Sequence, residues 1–245
     1  MILDDAYKKQ QSRYEFAAKY CSGTILDFTF ASIMSYHGSK ILLDNGANEI
    51  FTHDISNENH ELSYRIYDSN KKINYSILDE KYEHEINSID CIIMSEIIMN
   101  DDFSKIRLDY FKKILKQNGV LIISSFNKNN KSLIFDQNTN KNYFSKNEFF
   151  NLLKNNFSKV ELFSQKIISQ KDITAIKLNS ISKLKNKLRF ALSTFYLKFD
   201  KKSNFYNKYM KNKNKTQELK TDEYEILPYS EKHNPLYFVA VCRKT

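Results

Sequence analysis

The segment Gly23-Thr-Ile-Leu-Asp27 decides the fold, because it begins an alternation of strands and helices. Its central residues favour a short strand, which ends in an acidic residue. Residues 33–45 then carry apolar side chains at helical spacing and stop at Gly46. Residues 49–53 predict a second short strand, with Asp54 at its carboxyl end. A strand, a helix and a second strand in this order predict two parallel strands joined by a crossover helix.

The alternation continues along the rest of the chain. Five more short apolar runs predict strands at residues 73–78, 90–95, 120–125, 159–165 and 236–243. Helical spacing predicts further helices at residues 5–20, 103–117 and 145–155. We therefore expect an α/β, Rossmann-like fold, with a mostly parallel seven-stranded sheet and helices on both faces. Gly38 predicts a weak point in the helix at 33–45, and Ser145 with Glu148 predicts a capping box.

The composition is that of a folded domain. Of the 245 residues, 41% are hydrophobic, including 18 Phe and 16 Tyr, which excludes an intrinsically disordered chain. Cys21, Cys91 and Cys242 are odd in number and have no CxxC spacing, and no apolar run approaches about 18 residues. We expect three reduced thiols in a cytoplasmic protein. Neither the cysteines nor the histidines have the spacing of a zinc site, so we expect no metal.

Positive charge is concentrated in the second half of the chain. Residues 1–130 hold 15 basic and 19 acidic residues, a net charge of −4, whereas residues 131–245 hold 23 and 10, a net charge of +13. Residues 183–220 alone hold 12 basic and 2 acidic residues, a net charge of +10. This asymmetry predicts an anionic partner for the C-terminal part. A solvated lysine-rich surface is the alternative.

Residues 169–234 are too many for a bare loop in a compact domain. They contain a stripe of Leu and Phe between residues 184 and 199, with Lys and Arg on the other helix faces. We expect a core at 1–168, a basic helical insertion at 169–234 and a final strand at 235–245, with residues 224–230 returning to the core. The insertion would be peripheral to the inner membrane surface. Alternatively, its helix packs on the core.

Six segments, in order and at normal spacing, resemble the motifs of class I S-adenosylmethionine-dependent methyltransferases. The segments are Ser12–Ala18 with Gly23–Asp27, Gly46–Ser56, Asp90–Glu96, Phe111–Asn127, Phe144–Phe150 and Val239–Lys244. The first four are similar to RYxFA with VLDxGCGxG, GAxxVxGxDIS, FDVVxxxE and RxLKPGGxLxISTPN. The resemblance covers about residues 12–166 and 236–244. It implies a Rossmann-like fold, S-adenosylmethionine as the cofactor and methyl transfer as the activity. It also implies that the insertion at 169–234 is a lid or acceptor platform.

The resemblance also implies which side chains contact the cofactor. Asp54 at the tip of the second strand would hold the ribose diol, and Asp79 after the third would accept the adenine amino group. Asp27 and Glu96 end neighbouring strands and are expected at the same edge of the sheet. The remaining expected contacts are Tyr14, Thr29, Ala31, Ile55 and Ser95. The alternative is that the acids are ordinary helix caps and loop residues.

The chain departs from the family pattern at two places. Thr29-Phe-Ala-Ser-Ile33 replaces GCGxG, so the three glycines that let the backbone approach the cofactor are missing. Phe30 or Ile33 could fill space that the methionine part of the cofactor needs. Asn100 stands where many relatives have a histidine base. The catalytic residues are therefore unknown, with Asp101, Glu96 and His37 as candidate bases, although in-line methyl transfer needs little beyond positioning and desolvation.

Three functions fit these observations. The first is an S-adenosylmethionine-dependent methyltransferase acting on a glycan, a lipid-linked saccharide or a small metabolite, for example in polysaccharide biosynthesis. The second is a catalytically inactive methyltransferase-like protein that binds or scaffolds a partner, such as an active methyltransferase. The third is a nucleic-acid methyltransferase, in which aromatic residues of the basic stretch would stack on bases. No NPPY-like signature of base methylases supports the third function.

Overall fold

The described residues form one eight-stranded sheet flanked by helices. A computed structural model of the chain describes residues 2–28, 32–54, 72–77, 84–95, 101–130, 143–167, 224–232 and 234–245. The strands are β1 (Gly23–Asp27), β2 (Ala47–Asp54), β3 (Ile73–Ile77), β4 (Ile89–Met94), β5 (Leu115–Phe126), β6 (Lys159–Ile167), β7 (Ile226–Pro228) and β8 (Pro235–Arg243). The described helices are α1 (Ile2–Ala17), α2 (Ser32–Asp44), α3 (Asp101–Ile114) and α4 (Lys146–Lys154).

The strand order is that of a mostly parallel sheet. Across the sheet it is β3-β2-β1-β4-β5-β8-β6-β7. The strands β1 to β5 pair in parallel, and β8 lies antiparallel between β5 and β6. All seven predicted strands are present, so the predicted α/β fold is confirmed. The short β7, which the sequence did not predict as a strand, pairs with β6 at the edge of the described sheet.

Alternate residues of the central strands face two apolar layers, because successive side chains of a strand point to opposite faces. Ile25 of β1 belongs to one layer, with Tyr14 of α1 and Leu42 of α2. Leu26 belongs to the other layer, with Leu108 of α3 and the buried residues of α4. The sheet therefore carries helices on both faces, as the sequence predicts.

Helix ends follow the local sequence signals closely. Ser145 and Glu148 form the predicted capping box at the start of α4. Gly46, two residues after the end of α2, has φ of 104°, in the left-handed region that favours glycine. Gly23, with φ of 77°, is the first residue of β1 and lies six residues beyond the end of α1. The predicted weak point at Gly38 is wrong, because α2 is continuous through it.

The prediction of three reduced thiols is wrong for two of them. Cys21 and Cys91 form a disulfide, although they are 70 residues apart in sequence. Cys21 leads into β1 and Cys91 lies on β4, the strand that pairs with β1. Cysteine spacing carries no information on strand order, so the pairing was not predictable. Cys242 of β8 is a free thiol, and its burial raises its pKa.

Most of the predicted basic insertion, including residues 183–220, lies outside the described residues. Its C-terminal end is described, and there Tyr224 is buried and β7 joins the sheet. Residues 224–230 thus return to the core, as the sequence predicts. Among the helices that the structure describes, none has the length and apolar character needed to cross a membrane.

Candidate functional site

The carboxyl end of β1 is the switch point of the sheet, because β2 lies on one side of β1 and β4 on the other. Ligands of open α/β sheets bind in the crevice at such a point. Asp27 is level with Thr52 of β2 and Ile93 of β4. Each neighbouring strand runs two residues beyond this level, to Asp54 at the end of β2 and to Ser95 just after β4. At 3.3 Å per residue, both lie about 7 Å beyond Asp27 along the strand direction. Asp27 therefore lies on the floor of a crevice between the ends of β2 and β4.

A hydrogen bond joins α1 to the floor of this crevice. The Tyr14 hydroxyl donates to Oδ2 of Asp27 over 2.6 Å. Both residues are buried, with exposures of 1% for Tyr14 and 0% for Asp27. Burying a carboxylate is costly, and the hydroxyl offsets part of that cost. Two residues that the sequence predicts as cofactor contacts are thus brought together.

The ring of Tyr14 lies against Gly38 of α2. A Cβ atom at Gly38 would be 2.2 Å from Cζ of Tyr14, far closer than non-bonded atoms approach. The missing side chain of Gly38 therefore lets α1 and α2 pack with the Tyr14 hydroxyl on Asp27. Gly38 is a packing position within a regular helix, which explains why the expected break in α2 is not there.

A small cavity lies beside the crevice, at the carboxyl ends of β4 and β5. Its polar lining comes from Arg13, Ser95 and Ser124, and its apolar lining from Ile93, Met94, Ile122, Ile123 and Val239. The cavity measures about 10 Å³, room for about one water molecule. Ser95 was predicted as a site residue, but Arg13 and Ser124 were missed. The signal for Arg13 was its place beside Tyr14 in the RYxFA-like segment.

Phe28 begins the connection that replaces the family's glycine loop. Its ring is buried and packs edge-on against Phe111, with the two centroids 5.3 Å apart. Phe28 therefore fills the core on the α3 side of the sheet. Because α2 begins at Ser32, only residues 29–31 join Phe28 to the helix. The first turn of a helix in this position can offer backbone N–H groups to an anionic ligand.

Many of the predicted site residues lie outside the residues that the structure describes. These are Thr29, Ala31, Ile55, Asp79 and Glu96, together with Phe30. Asp54 ends β2 and Asp101 begins α3, and for both only the backbone is described. His37 is half-buried on α2, next to Gly38. Within the described ranges, no three His, Cys, Asp or Glu residues are grouped in a way that could hold a metal ion.

Comparison with solved structures identifies the fold. An S-adenosylmethionine-dependent methyltransferase from Thermotoga maritima matches 98% of this chain and 89% of its own, with a TM-score of 0.56 and 13% identity. One from Mesorhizobium loti matches 90% of both chains, with a TM-score of 0.52 and 11% identity. The chain has the class I methyltransferase fold. Phosphoethanolamine N-methyltransferase 2 of Haemonchus contortus, in complex with S-adenosylmethionine, matches 91% of this chain and 49% of its own, with a TM-score of 0.54 and 14% identity.

The predicted resemblance is thereby confirmed for the fold. No protein-family model matches the sequence, and no curated protein matches it either. Since 612 solved chains match, the class I methyltransferase fold by itself does not name an acceptor. Any assignment of activity must therefore come from the residues around β1, β4 and β5.

Proposed function

We propose that the chain is an S-adenosylmethionine-dependent methyltransferase that binds its cofactor over the carboxyl end of β1. The observation that carries this proposal is the buried hydrogen bond between Tyr14 and Asp27 on the floor of the crevice. An acidic side chain that is buried at a ligand-binding edge and oriented by a hydrogen bond suggests a role in binding. The edge in question is where open α/β sheets bind nucleotides.

Each strand end supplies a different contact in this proposal. S-adenosylmethionine, when bound, supplies a methyl group activated by its positively charged sulfur. Asp54 would accept hydrogen bonds from the ribose hydroxyls, and Asp79 one from the adenine amino group. Asp27 would face the ligand from the end of β1, with its carboxyl group oriented by the hydrogen bond from the Tyr14 hydroxyl.

Two features of the described residues fit this cofactor even though the loop glycines are missing. The side chain of Phe28, the first residue after Asp27, packs into the core against Phe111 and therefore does not occupy the crevice. The connection from Phe28 to α2 is only three residues long, residues 29–31, so the first turn of α2 begins close to the end of β1. Both features favour retention of a binding crevice.

The acceptor is proposed to be a glycan, a lipid-linked saccharide or a small metabolite. Ser95 and Ser124 lie at the ends of β4 and β5, beside the cofactor crevice, where an acceptor would approach. The basic segment 183–220 would act as a lid or acceptor platform, within a cytoplasmic protein that contacts an anionic membrane surface. In this proposal the chain consists of a methyltransferase-like core at 1–168, a basic helical insertion at 169–234 and a final strand of the core sheet at 235–245.

A catalytically inactive binding protein is the second candidate. The observation that favours it is the segment Thr29–Ile33, which lacks all three cofactor-loop glycines. Side chains at those positions restrict the left-handed backbone and the close approach that a glycine loop allows. Such a protein would keep the fold and lose the cofactor.

Titration calorimetry with S-adenosylmethionine and S-adenosylhomocysteine distinguishes the two candidates. We expect saturable binding of both ligands by the full chain, with at least about tenfold weaker binding in Asp54→Ala because two ribose hydrogen bonds are lost. Glu49→Gln is the matched control, since Glu49 lies near the other end of β2 and accepts a hydrogen bond from Asn74. It should bind both ligands as the unmodified chain does.

One result would decide against the enzyme, and another against the placement of the ribose. Absence of binding at millimolar ligand would favour the inactive protein. Binding that Asp54→Ala leaves unchanged would place the ribose elsewhere.

A further inference from the structure

The side-chain amide of Gln10 on α1 is buried, and its oxygen is not used. Gln10 is 7% exposed, and its Oε1 accepts no hydrogen bond from any residue that the structure describes. A buried polar atom without a partner lowers the stability of the fold, so its presence needs an explanation. A ligand that donates to this oxygen when it binds would supply one.

Strand pairing places Gln10 above the carboxyl ends of the strands. The backbone oxygen of Lys9 accepts a hydrogen bond from Nε2 of Gln165 over 3.1 Å. Through the pairing of β6, β8 and β5, Gln165 is level with Phe126. Phe126 lies four residues beyond the level of Asp27, about 13 Å at 3.3 Å per residue. The part of α1 that holds Lys9 and Gln10 therefore lies beyond the end of β1.

The helical repeat directs Gln10 towards the cofactor crevice. Gln10 and Tyr14 are four residues apart on α1, so their side chains lie on the same face of the helix. That face meets the end of β1, because the Tyr14 hydroxyl donates to Asp27. The adjacent face, with Arg13, contacts β6 instead. Gln10 is thus one helical turn above Tyr14, on the side of α1 that overlies the crevice.

The proposed cofactor contacts determine which part of the ligand meets Gln10. Asp54 of β2 would hold the ribose and Asp79, after β3, the adenine, so the methionine part extends towards β1 and α1. The methionine part carries a carboxylate, which only accepts hydrogen bonds, and an ammonium group, which donates three. Since an amide oxygen is an acceptor, its partner on the ligand is the ammonium group.

We infer that Oε1 of Gln10 accepts a hydrogen bond from the ammonium group in the methionine part of the cofactor. This inference rests on the proposed methyltransferase function and adds a binding residue to its site. The last side-chain torsion of glutamine is broad, so the oxygen can turn towards a ligand without a movement of α1. The hydrogen bond is assisted by the ligand's charge and is therefore stronger than one between neutral groups.

Calorimetric titration of the full chain with three adenosine thioethers tests this contact. S-adenosylhomocysteine has the ammonium group and the carboxylate, the aminopropyl thioether of adenosine has only the ammonium group, and methylthioadenosine has neither. We expect Gln10→Met to weaken binding of the first two by at least about tenfold and to leave methylthioadenosine binding unchanged. Gln11→Met is the matched control, because Gln11 is the next residue of α1 and donates to Glu15. It should bind all three ligands as the unmodified chain does.

Stability separates a binding role from a structural one. Methionine is similar in length to glutamine and removes a buried acceptor without a partner, so Gln10→Met should unfold at the same urea concentration as the unmodified chain or a higher one. Gln10→Glu keeps an acceptor and adds negative charge. It should bind the aminopropyl thioether at least as tightly as the unmodified chain does.

Three outcomes would overturn the inference. Equal weakening of all three ligands by Gln10→Met would make Gln10 a structural residue. Weakening of S-adenosylhomocysteine alone would assign the amide to the ligand's carboxylate. Unchanged binding of every ligand would remove Gln10 from the site. The proposed function fails separately, if the unmodified chain binds none of the three ligands.

Discussion

At the scale of single residues, Tyr14 connects three parts of the site. Its hydroxyl binds Asp27 at the end of β1, its ring fills the space left by Gly38 on α2, and its neighbour Arg13 reaches the ends of β4 and β5. A shift of the Tyr14 ring would therefore disturb both the floor of the crevice and the approach of α1 to α2.

Gly38→Ala is predicted to destabilise the protein. Alanine is favoured over glycine within a helix by about 1 kcal/mol, so propensity alone would raise stability. The added Cβ, however, would lie 2.2 Å from Cζ of Tyr14. Overpacking of this kind costs about 1–3 kcal/mol, and we expect a net loss in the free energy of unfolding measured by urea denaturation.

Lys40→Ala is the control for this prediction, because Lys40 is exposed on the same helix and two residues away. It should change the free energy of unfolding by less than about 0.5 kcal/mol. A Gly38→Ala variant more stable than the unmodified chain would show that Tyr14 does not need the space.

The residues of the site were only partly predictable. Tyr14, Asp27 and Ser95 follow from the resemblance, because they lie in segments whose order along the chain is preserved. The roles of Gly38 and the Cys21–Cys91 bond do not, because each depends on which elements meet in space. Contacts of that kind leave no periodic signal in the sequence.

At the scale of elements, α4 shows how a local signal becomes a measurable interaction. Glu148 receives hydrogen bonds from Lys128, over 2.6 Å, and from the backbone and hydroxyl of Ser145. These contacts, Lys128 first, lower the pKa of Glu148 from 4.5 to about 2. Because the folded pKa is the lower one, the carboxylate stabilises the fold fully above about pH 4.5 and loses this effect as the pH falls towards about 2.

Glu148→Gln is predicted to lower the free energy of unfolding at pH 7 by less than about 1 kcal/mol, since the pair is half exposed and screened by solvent. Glutamine still completes a capping box, so the change removes the charge and the oxygen that accepts from Lys128. The difference in the free energy of unfolding between this variant and the unmodified chain should become smaller below about pH 4.5. Urea denaturation at a series of pH values measures it. In a Lys128→Met background the difference at pH 7 should be smaller, with the part due to Ser145 remaining, and a difference that stays constant down to about pH 3 would contradict the assignment.

Strands and helices were far more predictable than their contacts. The apolar runs of β4 and β5 have the composition of buried parallel strands, and the Ser145–Glu148 signal marks the start of α4 to the residue. The edge strand β7 was missed because three residues are too few to show an alternation. Short edge strands owe their conformation to the neighbour with which they pair.

At the scale of the whole molecule, charge separates the chain into an acidic N-terminal part and a basic C-terminal part. The excess of 10 positive charges in residues 183–220 is expected to attract anionic surfaces. We predict that the protein co-sediments with vesicles containing phosphatidylglycerol, and that binding weakens steeply with added salt. Vesicles of phosphatidylcholine alone should not bind it.

Charge-neutralising variants test which part of the chain is responsible. Four glutamines are expected to abolish most vesicle binding when they replace Lys183, Lys185, Lys187 and Arg189. The control removes the same number of charges from exposed positions elsewhere, at Lys19, Lys40, Lys112 and Lys113. Equal loss in both variants would mean that net charge alone governs the interaction.

The central claim is that the cofactor lies over the end of β1, between β2 and β4. A crystal structure of the chain with S-adenosylhomocysteine tests it most directly. We expect the ribose hydroxyls within about 2.5–3.2 Å of the Asp54 carboxylate, with the ligand beside the Tyr14–Asp27 pair. A crevice filled by residues 29–33 at saturating ligand, or a nucleoside bound away from β1, would contradict the claim.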